Sequence, residues 1–490
     1  MSTLAAVDLG AQSGRVARGR FDGERLTVEE VHRFPNGPVE IDGRLRWDFD
    51  ALCREAFAGL RAAGRDARVD AVGVDSWAVD FGLLDDAGEL VEAPVHYRDA
   101  LRAAAVTDLH ASVPPRELYD RTGIQLLPIN TIVELAGMAA RDDAALASAD
   151  VLLLVPDLVH HRLCGSRVTE WTNATTTQCL DAASGTWAGD LLERLDVPLE
   201  LFPPIVQPGA ELGRAGVDSG IGGAAVIAVA THDTGSAVAA VPLRGPGSVY
   251  LSVGTWSLVG VEAPKPVIDE RTYVANFTNE GGVEKTYRVL RNVTGLWLLD
   301  ECRREWAAAG RAYTFDELVR RAVDAPPLRS FVDPDAAAFA LPGDMPERIR
   351  SFCRDSGQTA PASDAEVVRC VLESLALKHA HVVELLHRAV GADPTELNVV
   401  GGGARNELLC AWTANAAELP VVAGPEEATV VGNLLVQAIA LGELASIGEA
   451  RDVVRASFEQ TVYEPSGGQD WRDARARFSS LLGSREAVRA

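Results

Sequence analysis

An aspartate stands where an apolar segment gives way to an alanine-rich one, in the stretch VATHDTGSAVAAVP from Val229 to Pro242. Aspartate, serine and threonine are preferred at helix N-caps, so one interpretation of Asp233 is purely structural. A second interpretation is chemical, because a carboxylate can take a proton from an attacking hydroxyl as a general base. The two interpretations are compatible, and Asp233 is therefore the first candidate for a catalytic residue.

Two turns rich in glycine, serine and threonine have the composition of phosphate sites. DLGAQSGR (Asp8–Arg15) and SVGTWS (Ser252–Ser257) each join two segments with the pattern of strands. Such turns expose backbone N–H groups and hydroxyls, which can bind phosphate oxygens without many lysines. Ordinary hairpin geometry explains either turn alone, but one in each half of the chain suggests a nucleotide held between two lobes. Asp8, beside the first turn, is then available to a hydrated Mg²⁺.

A third glycine turn, VVGGGARNE (Val399–Glu407), lies at a strand-to-helix junction and would let an adenine or its ribose approach the backbone. A sharply bent helix entry is the structural alternative. Other nucleotide and hydrolase motifs are missing from the sequence, namely G-x-G-x-x-G, Walker A, the protein-kinase set, G-x-S-x-G and H-E-x-x-H. The sequence therefore gives no support to a dinucleotide enzyme, a P-loop protein, a serine hydrolase or a zinc protease.

Several polar side chains have the chemistry of a site for a small polar ligand. The stretch VDSWAVDF places Asp75, Trp77 and Asp80 at the end of a strand, and Asn292 precedes a predicted helix. Carboxylates bind sugar hydroxyls, and an aromatic face packs on the C–H surface of a sugar ring. Taken singly, each of these residue types is more often a cap, a satisfied buried group or part of core packing. The nine histidines show no ligand cluster, and we expect His379 and His381 to be solvated or half-buried.

Composition excludes several classes of protein. The net charge is −24, from 46 basic and 70 acidic residues, which argues against nucleic-acid binding because phosphate backbones are held by clustered Lys and Arg. The apolar runs are shorter than the ~20 residues that span a bilayer, and the first residues lack a basic signal-peptide region. We therefore expect a cytoplasmic protein without a membrane partner. The loop between Cys353 and Cys370 would permit a disulfide, although a reducing compartment favours free thiols.

Apolar runs alternate with helical periods along the whole chain, which predicts an α/β fold. A chain of 490 residues is too long for one core, and the Pro/Gly-rich segment Val241–Gly247 is a plausible boundary and hinge. We therefore predict two domains, residues 1–241 on the sugar and phosphate side and residues 242–490 on the nucleotide side. Each opens with a predicted hairpin that carries one of the two phosphate turns.

Ten motifs carry a resemblance to a known family: AVDLGAQSGRV, VDSWAVDFGLLD, YDRTGIQLLPINT, EWTNATTTQ, THDTGSAV, YLSVGTWSL, TNEGG, YRVLRNVTGLWLL, VVGGGARN and VAGPEEATVVGN. In this order, from about Ala6 to Gly442, they resemble the FGGY carbohydrate kinases, and most closely the members that act on L-rhamnulose. The resemblance implies two ribonuclease-H-like domains of the actin and hexokinase type, with ATP and sugar in the cleft between them. It implies transfer of the γ-phosphoryl group of ATP to O1 of L-rhamnulose, with Mg²⁺ as cofactor.

The resemblance also implies a set of site residues. Asp233 would be the general base. The sugar site would be lined by Ala78, His232, Asp233, Thr234 and Asn292. The nucleotide would contact Ala11, Gln12, Ser13, Gly14, Arg15, Thr255, Asp300 and Gly402, and Asp8 would face the metal.

Two positions depart from the family pattern. Ala78 stands where glycine is usual, so a backbone contact survives while the added methyl group trims the sugar pocket. Asp300 stands where glutamine is familiar, and a carboxylate cannot donate a hydrogen bond and repels phosphate. The first departure affects the choice of sugar, and the second weakens the expected nucleotide contact.

Other functions remain open at this point. Another ketose or deoxysugar kinase, acting on L-fuculose or xylulose, fits the same motifs, because a sequence does not fix the configuration of one hydroxyl. A nucleotide-switched binding protein on the same two-lobed scaffold is a rival from another class. It would need no sugar-facing aspartate, whereas this chain keeps the HDT motif. For assembly, we expect a monomer or a homodimer.

Overall fold

A computed structural model describes residues 1–245 and 247–489, so Pro246 in the predicted boundary segment lies outside the described residues. The chain forms two compact units. The first consists of Met1–Pro242, Glu262–Val289 and Ala428–Phe458. The second consists of Leu243–Val261, Leu290–Glu427 and the chain from Glu459 onwards. Each unit is therefore assembled from three separate stretches of sequence.

The strands of the described chain are numbered in chain order. They are β1 (Ser2–Leu9), β2 (Ser13–Phe21), β3 (Leu26–Pro35), β4 (Pro38–Ile41), β5 (Arg44–Trp47), β6 (Ala71–Ser76), β7 (Phe81–Leu84), β8 (Val151–Leu154), β9 (Thr169–Glu170), β10 (Leu180–Asp181), β11 (Thr186–Trp187), β12 (Ile205–Val206), β13 (Ala210–Arg214), β14 (Ala225–Ala228), β15 (Ser248–Val253), β16 (Trp256–Ala263), β17 (Thr278–Gly281), β18 (Tyr287–Thr294), β19 (Glu396–Val400), β20 (Val421–Ala423) and β21 (Thr461–Tyr463).

The helices are numbered in the same way. They are α1 (Phe49–Ala63), α2 (Ala100–Ala104), α3 (Val106–Ser112), α4 (Pro115–Thr122), α5 (Thr131–Ala140), α6 (Ala144–Ser148), α7 (Val155–Cys164), α8 (Trp171–Ala174), α9 (Gly189–Glu193), α10 (Asp233–Ala239), α11 (Glu270–Val274), α12 (Trp297–Ala308), α13 (Phe315–Val323), α14 (Met345–Asp355), α15 (Asp364–Val390), α16 (Glu407–Ala417), α17 (Ala428–Ala440), α18 (Ile447–Ser457) and α19 (Gly468–Arg489). Among the described residues, no helix is both long and apolar enough to cross a membrane.

The first unit is built on a sheet with the strand order β13-β14-β6-β1-β2-β3. β1, β2 and β3 form an antiparallel meander, whereas β1, β6 and β14 run parallel. The predicted strand pair on either side of the first glycine turn is confirmed as the β1–β2 hairpin. Because the parallel strands end at one edge of the sheet, the loops that follow β1, β6 and β14 meet there.

The second unit repeats this plan. Six of its strands lie in the order β18-β16-β15-β19-β20-β21, with β15 and β16 antiparallel and β15, β19 and β20 parallel. The β15–β16 hairpin takes the place of β1–β2, and β19 takes the place of β6. The sequence similarity covers only the two hairpins, whereas the structural repeat extends over the whole sheet.

Helix α1 illustrates how the sheet of the first unit is covered. Asp48 caps the helix, since its side chain accepts a hydrogen bond from Ala51 N–H. Leu52, Ala56 and Leu60 recur at helical spacing and are buried in the core cluster against the sheet. The spacing produces one apolar face, which is why this helix packs flat on the strands.

Helix α15 of the second unit corrects one expectation. His379 is completely buried, not solvated or half-buried, and only His381 is partly exposed. The helix has 27 residues and is covered along most of its length, so both faces carry buried side chains. Loss of water lowers the pKa of His379 to about 3, which keeps this ring neutral.

The seven cysteines are free thiols in the structure. Cys353 and Cys370 are both buried, and the interaction between their thiols lowers the pKa of Cys353 and raises that of Cys370. The loop between them brings the two cysteines together as predicted, and both are free thiols.

Close packing of α10 on α17 fixes the helix that begins at Asp233. A Cβ atom added to Gly432 would lie 1.8 Å from the carbonyl oxygen of Ser236, so no side chain fits between the two helices. Glycine is required here for close approach, although it costs helix stability.

We therefore expect Gly432→Ala to lower the free energy of unfolding by about 1–3 kcal/mol, because α10 and α17 must move apart. Gly448→Ala in α18 is the matched control, since its nearest neighbour would be the Ser446 hydroxyl at 3.4 Å. The control should be neutral or stabilising by up to about 1 kcal/mol. Urea denaturation measures both variants, and equal stability of the two would refute the packing constraint.

Candidate active site

Asp233 is the first residue of α10, and His232 occupies the N-cap position without a side-chain capping bond. The interpretation of Asp233 as the N-cap is therefore wrong by one residue. The carboxylate accepts hydrogen bonds at Oδ1 from Thr234 N–H (2.5 Å) and from the Thr234 hydroxyl (3.1 Å). The side chain remains 32% exposed, so one part of the carboxylate is held while another stays accessible.

The surroundings of Asp233 favour proton acceptance. Loss of water raises the pKa of Asp233 above that of an ordinary aspartate, His232 opposes this shift, and the negative charge of Asp8 adds to it. A raised pKa makes a carboxylate a stronger base, and proton transfer is most effective when the pKa approaches the working pH. The site therefore has the electrostatics of a general base.

A buried glutamate anchors the backbone in front of Asp233. Glu170, at the end of β9, accepts hydrogen bonds from Thr231 N–H (3.0 Å) and the Thr231 hydroxyl (2.7 Å). It also accepts hydrogen bonds from Thr172 N–H (2.8 Å) and the Thr172 hydroxyl (2.5 Å). The Thr172 hydroxyl in turn accepts a hydrogen bond from His232 N–H at 3.2 Å. One carboxylate with four donors thus fixes the segment that leads into α10.

The first glycine turn places Asp8 and Arg15 side by side at the end of β1. Arg15 Nε and Nη2 contact Asp8 Oδ2 at 2.7 and 2.6 Å. Gln12 is exposed, and Ala11 and Ser13 are partly exposed, so the turn lies at the surface of the first unit. Gly14 is buried beneath the ring of Phe34. A Cβ atom at this position would lie 2.2 Å from that ring, so a side chain does not fit.

Asp75 is fully buried at the end of β6 and is held from α17. Asn433 Nδ2 donates to Asp75 Oδ2 (2.5 Å), and Gln437 Nε2 donates to Asn433 Oδ1 (2.7 Å) and to the Ala5 carbonyl (2.9 Å). Burial, followed by the charge of Asp8, raises the pKa of Asp75 well above its usual range. The hydrogen bond from Asn433 opposes this shift, so burial beside a second carboxylate is the dominant influence on Asp75.

The loop after Asp75 contains strained backbone. Val79 has a φ of 69°, which is rare for a β-branched residue and costs of order 1–3 kcal/mol. Its carbonyl accepts hydrogen bonds from Arg102 Nη2 (3.1 Å) and the Thr131 hydroxyl (2.7 Å), which hold this conformation. The neighbouring Ala78 is partly exposed, whereas Trp77, Val79 and Asp80 are buried. The backbone of this loop is therefore accessible at Ala78.

Asp80 has a structural environment, in contrast to the expectation that it binds a sugar. Its carboxylate accepts hydrogen bonds from Trp47 Nε1 (2.7 Å), Trp77 Nε1 (3.0 Å) and Tyr97 N–H (3.2 Å). It also forms an ion pair with the buried Arg102 at 2.5 Å. With these partners and almost no exposure, Asp80 holds the loop in place, and Trp77 packs as part of the core.

In the second unit, two predicted nucleotide turns meet at the end of β15. Thr255 lies in the β15–β16 turn, and Gly402 follows β19, which is the neighbouring parallel strand. Gly401 has a φ of 80°, and a Cβ atom there would lie 3.0 Å from the Val253 carbonyl. Gly402 itself is exposed with open space around its Cα, which suits the close approach of a planar ligand.

Asp300 and Asn292 lie in the same unit. The Thr255 carbonyl accepts hydrogen bonds from the N–H groups of Gly295 (3.0 Å) and Trp297 (3.3 Å) at the start of α12, and Asp300 is in the first turn of that helix. Asp300 contacts Arg303 at 3.4 Å, and its pKa is raised by loss of water. Asn292 is a partly exposed residue of β18.

Comparison with known families agrees with this arrangement. Residues 3–239 match the N-terminal domain of the FGGY family of carbohydrate kinases, and residues 249–441 match its C-terminal domain. The chain belongs to the FGGY family of carbohydrate kinases. As expected from the resemblance, it is a sugar kinase with the two-domain α/β fold of that family.

Among the relatives of this FGGY kinase are proteins named rhamnulokinase. The one from Bacteroides thetaiotaomicron is 42% identical over 483 residues, which cover 97% of this chain and 99% of the relative. The one from Enterococcus faecalis is 39% identical over 470 residues, with 94% of each chain covered. Similar solved structures include the ligand-bound xylulose kinase from Lactobacillus acidophilus, with a TM-score of 0.79, 18% identity, and coverage of 100% of this chain and 99% of that one.

Sequence reasoning missed the supporting residues of this FGGY kinase. The motif EWTNATTTQ was noted as a family signature without a role for Glu170, which lies 61 residues before its partner Thr231. Asn433 and Gln437 belong to the motif VAGPEEATVVGN and its continuation, yet their partner Asp75 is 358 residues from Asn433. A buried acid beside threonines was the available signal for Glu170, and the sequence held no comparable signal for the contacts of Asn433.

We expect Glu170→Gln to destabilise the protein by about 1–3 kcal/mol and to lower catalytic turnover, because the amide N–H₂ replaces one of the two carboxylate oxygens and cannot accept the hydrogen bonds made to that oxygen. Glu117→Gln is the control, since Glu117 is exposed and pairs only at the surface with Arg194. That change should cost less than about 1 kcal/mol. Denaturation and turnover measured together would contradict the anchoring role if the two variants behaved alike.

Proposed function

We propose that this kinase transfers the γ-phosphoryl group of ATP to O1 of L-rhamnulose, producing L-rhamnulose 1-phosphate and ADP. The observation that carries the proposal is the identity of about 40%, over nearly the whole chain, to several proteins named rhamnulokinase. The site chemistry supports it, because Asp233 has the position and the raised pKa of a base for a sugar hydroxyl. We further propose that the enzyme acts in the cytoplasm, where ATP is available.

In the proposed reaction Asp233 receives the proton of the O1 hydroxyl. As the bond from O1 to the γ-phosphorus forms, the bond from that phosphorus to the β,γ-bridging oxygen breaks, and ADP leaves with the electron pair. The hydrogen bonds from Thr234 both reach Oδ1, so Oδ2 is the oxygen that accepts the proton. Such a base contributes about 10²–10⁴ in rate. The sugar site would be lined by His232, Thr234 and Asn292 together with the backbone at Ala78.

The remaining catalytic task is to align the triphosphate and neutralise its charge. We assign the phosphates to the turn Ala11–Arg15 and to Thr255, and the nucleoside to the surroundings of Gly402. Asp300 is a weaker candidate for the nucleotide, because its carboxylate repels phosphate and is already close to Arg303. A hydroxyl of the ribose is the group that an acceptor at this position suits best.

Asp8 would hold a hydrated Mg²⁺. Both contacts of Arg15 use Asp8 Oδ2, and the neighbouring Asp75 has a buried Oδ1 without a hydrogen-bond partner among the described residues. No group of three metal-binding side chains occurs in the described part of the chain, which fits an ion held by one carboxylate, water and phosphate. When bound, Mg²⁺ neutralises phosphate charge during the transfer.

The choice of sugar is the first test. In an assay coupled to ADP formation, we expect L-rhamnulose to give the highest kcat/KM among L-rhamnulose, L-fuculose and xylulose. A preference for xylulose or L-fuculose would replace the proposed substrate while leaving the kinase activity intact. ATP binding without any sugar-dependent ADP release would instead indicate the nucleotide-switched binding protein.

Asp233→Asn tests the base. The amide keeps the size of the side chain and an oxygen acceptor for Thr234, but it cannot take a proton, so phosphorylation should fall by at least about 10² with ATP binding retained. Asp143→Asn is a matched control, because Asp143 caps α6 in the same unit and lies outside the proposed site. The control should keep wild-type turnover. Nearly full turnover of Asp233→Asn would remove Asp233 from the mechanism.

A further inference from the structure

A buried arginine contacts the ring of His232 on the side away from Asp233. Arg288, on β18, is fully buried, and its Nη2 lies 3.1 Å from His232 Nδ1. Glu280, on β17, is nearly buried, and its Oε2 lies 3.3 Å from the same ring nitrogen. The ring nitrogen Nδ1 therefore faces a group that only donates and a group that only accepts. Its protonation state has to satisfy one of them.

The contacts of Arg288 decide between the two states. Its Nε donates to the Gly281 carbonyl at 2.9 Å, and its Nη1 lies 3.1 Å from Glu280 Oε2. The hydrogen bond to Gly281 orients the guanidinium and the ion pair balances the charge of Glu280, while Nη2 meets Nδ1 with hydrogen-bond geometry. A hydrogen on Nδ1 would bring two donors together in a buried place. The shorter contact, the one with hydrogen-bond geometry, therefore favours an unprotonated Nδ1.

We propose that Arg288 is a positioning residue that holds His232 as the neutral tautomer with its hydrogen on Nε2. That nitrogen lies 3.4 Å from Asp233 Oδ1. The tautomer of a histidine is set by the hydrogen bond of its other nitrogen, and here Arg288 occupies that second position. His232 then adds a third donor on the Oδ1 side of the carboxylate, beside the two from Thr234.

The consequence concerns the proposed base and rests on the proposed function. With Oδ1 surrounded by donors, the carboxylate is oriented so that Oδ2 meets the sugar hydroxyl. Without Arg288, the ring would place its hydrogen on Nδ1 toward Glu280, and the lone pair of Nε2 would face Oδ1. Two lone pairs repel, so the carboxylate would turn away from its working orientation. Arg288 thus acts on Asp233 through His232 without touching the substrate.

The tautomer can be measured directly on the full chain without substrate. Nitrogen-15 NMR of histidine-labelled protein distinguishes protonated from unprotonated ring nitrogens, and His232→Gln assigns the signal of His232. We expect an unprotonated Nδ1 and a protonated Nε2. A protonated Nδ1 in the wild-type protein would overturn the proposal, whatever the kinetics show.

Arg288→Met then tests the cause. We expect the His232 signal to change to the Nδ1–H form and kcat to fall about tenfold, while the KM for ATP stays near the wild-type value. Arg288→Lys, which keeps a donor, should retain more of the Nε2–H form and of kcat. If Arg288→Met does not fold, Arg288→Lys is compared with the wild type instead, and it should show a mixture of tautomers.

The control is Arg18→Met, which removes a buried arginine that pairs with Glu29 outside this cluster. It should lower stability and leave the His232 tautomer unchanged. An unchanged tautomer in Arg288→Met would also overturn the proposal and give Arg288 a purely structural role. Failure of the wild-type enzyme to phosphorylate any ketose would refute the proposed function, which the NMR measurement does not depend on.

Discussion

The central constraint of the structure is the environment of the Asp233 carboxylate. That carboxylate is only partly exposed to solvent, its pKa is raised, and its orientation is set by hydrogen bonds. Burial raises the pKa of Asp233 and would favour its protonation, while Thr234 and His232 favour the charged form. The raised pKa means that this group binds a proton more readily than a surface aspartate does. Two donors from Thr234 hold Oδ1, which in the proposed reaction leaves Oδ2 for the sugar hydroxyl.

The groups around Asp233 are brought together by the fold, because they lie at the edge of the first sheet where its parallel strands end. Asp8 and Asp75 lie near the ends of β1 and β6, Ala78 follows β6, and the segment that leads to Asp233 follows β14. Supporting contacts come from elements distant in sequence, namely Glu170 at the end of β9 and α17 behind the sheet. Each ties a residue at the end of a strand, or the segment before α10, to a buried hydrogen bond from a distant part of the chain.

The repeat of the sheet explains why the phosphate turns occur twice. In both units a hairpin with a glycine turn is followed by a parallel strand and a second glycine-containing or polar loop. In the first unit this edge carries Asp8 and Asp75, and in the second it carries Thr255 and Gly402. The duplicated framework thus presents different residues at equivalent positions of its two sheets.

Local sequence was sufficient to predict the parts of the fold that depend on local interactions. The strands around both glycine turns and the helix that begins within THDTGSAV follow from apolar pattern and turn composition. Long-range contacts had no comparable signal: Arg288 reaches His232 across 56 residues, and the left-handed Val79 is a conformation that its residue type disfavours. The sequence also did not predict that Ala428–Phe458 belongs to the first unit, because the helical pattern of this segment does not indicate which sheet it covers.

Asp80 shows that the role of an aspartate cannot be predicted from its sequence position unless its hydrogen-bond partners are known. A carboxylate at the end of a strand resembles a sugar ligand, and only the positions of Trp47, Trp77 and Arg102 show that its hydrogen bonds are already made. The ordered set of motifs, by contrast, predicted the family of the chain, which the family comparison confirms. The role of Asp233 that the resemblance implies stays a prediction.

The central claim is that Asp233 takes the proton from the sugar hydroxyl. The most direct test is a crystal structure of the enzyme with L-rhamnulose and a non-transferable ATP analogue. The account predicts Oδ2 of Asp233 within about 2.6–3.2 Å of O1 of the sugar, with O1 directed at the γ-phosphorus. A carboxylate turned away from the bound sugar, with no hydroxyl within hydrogen-bond distance, would contradict it.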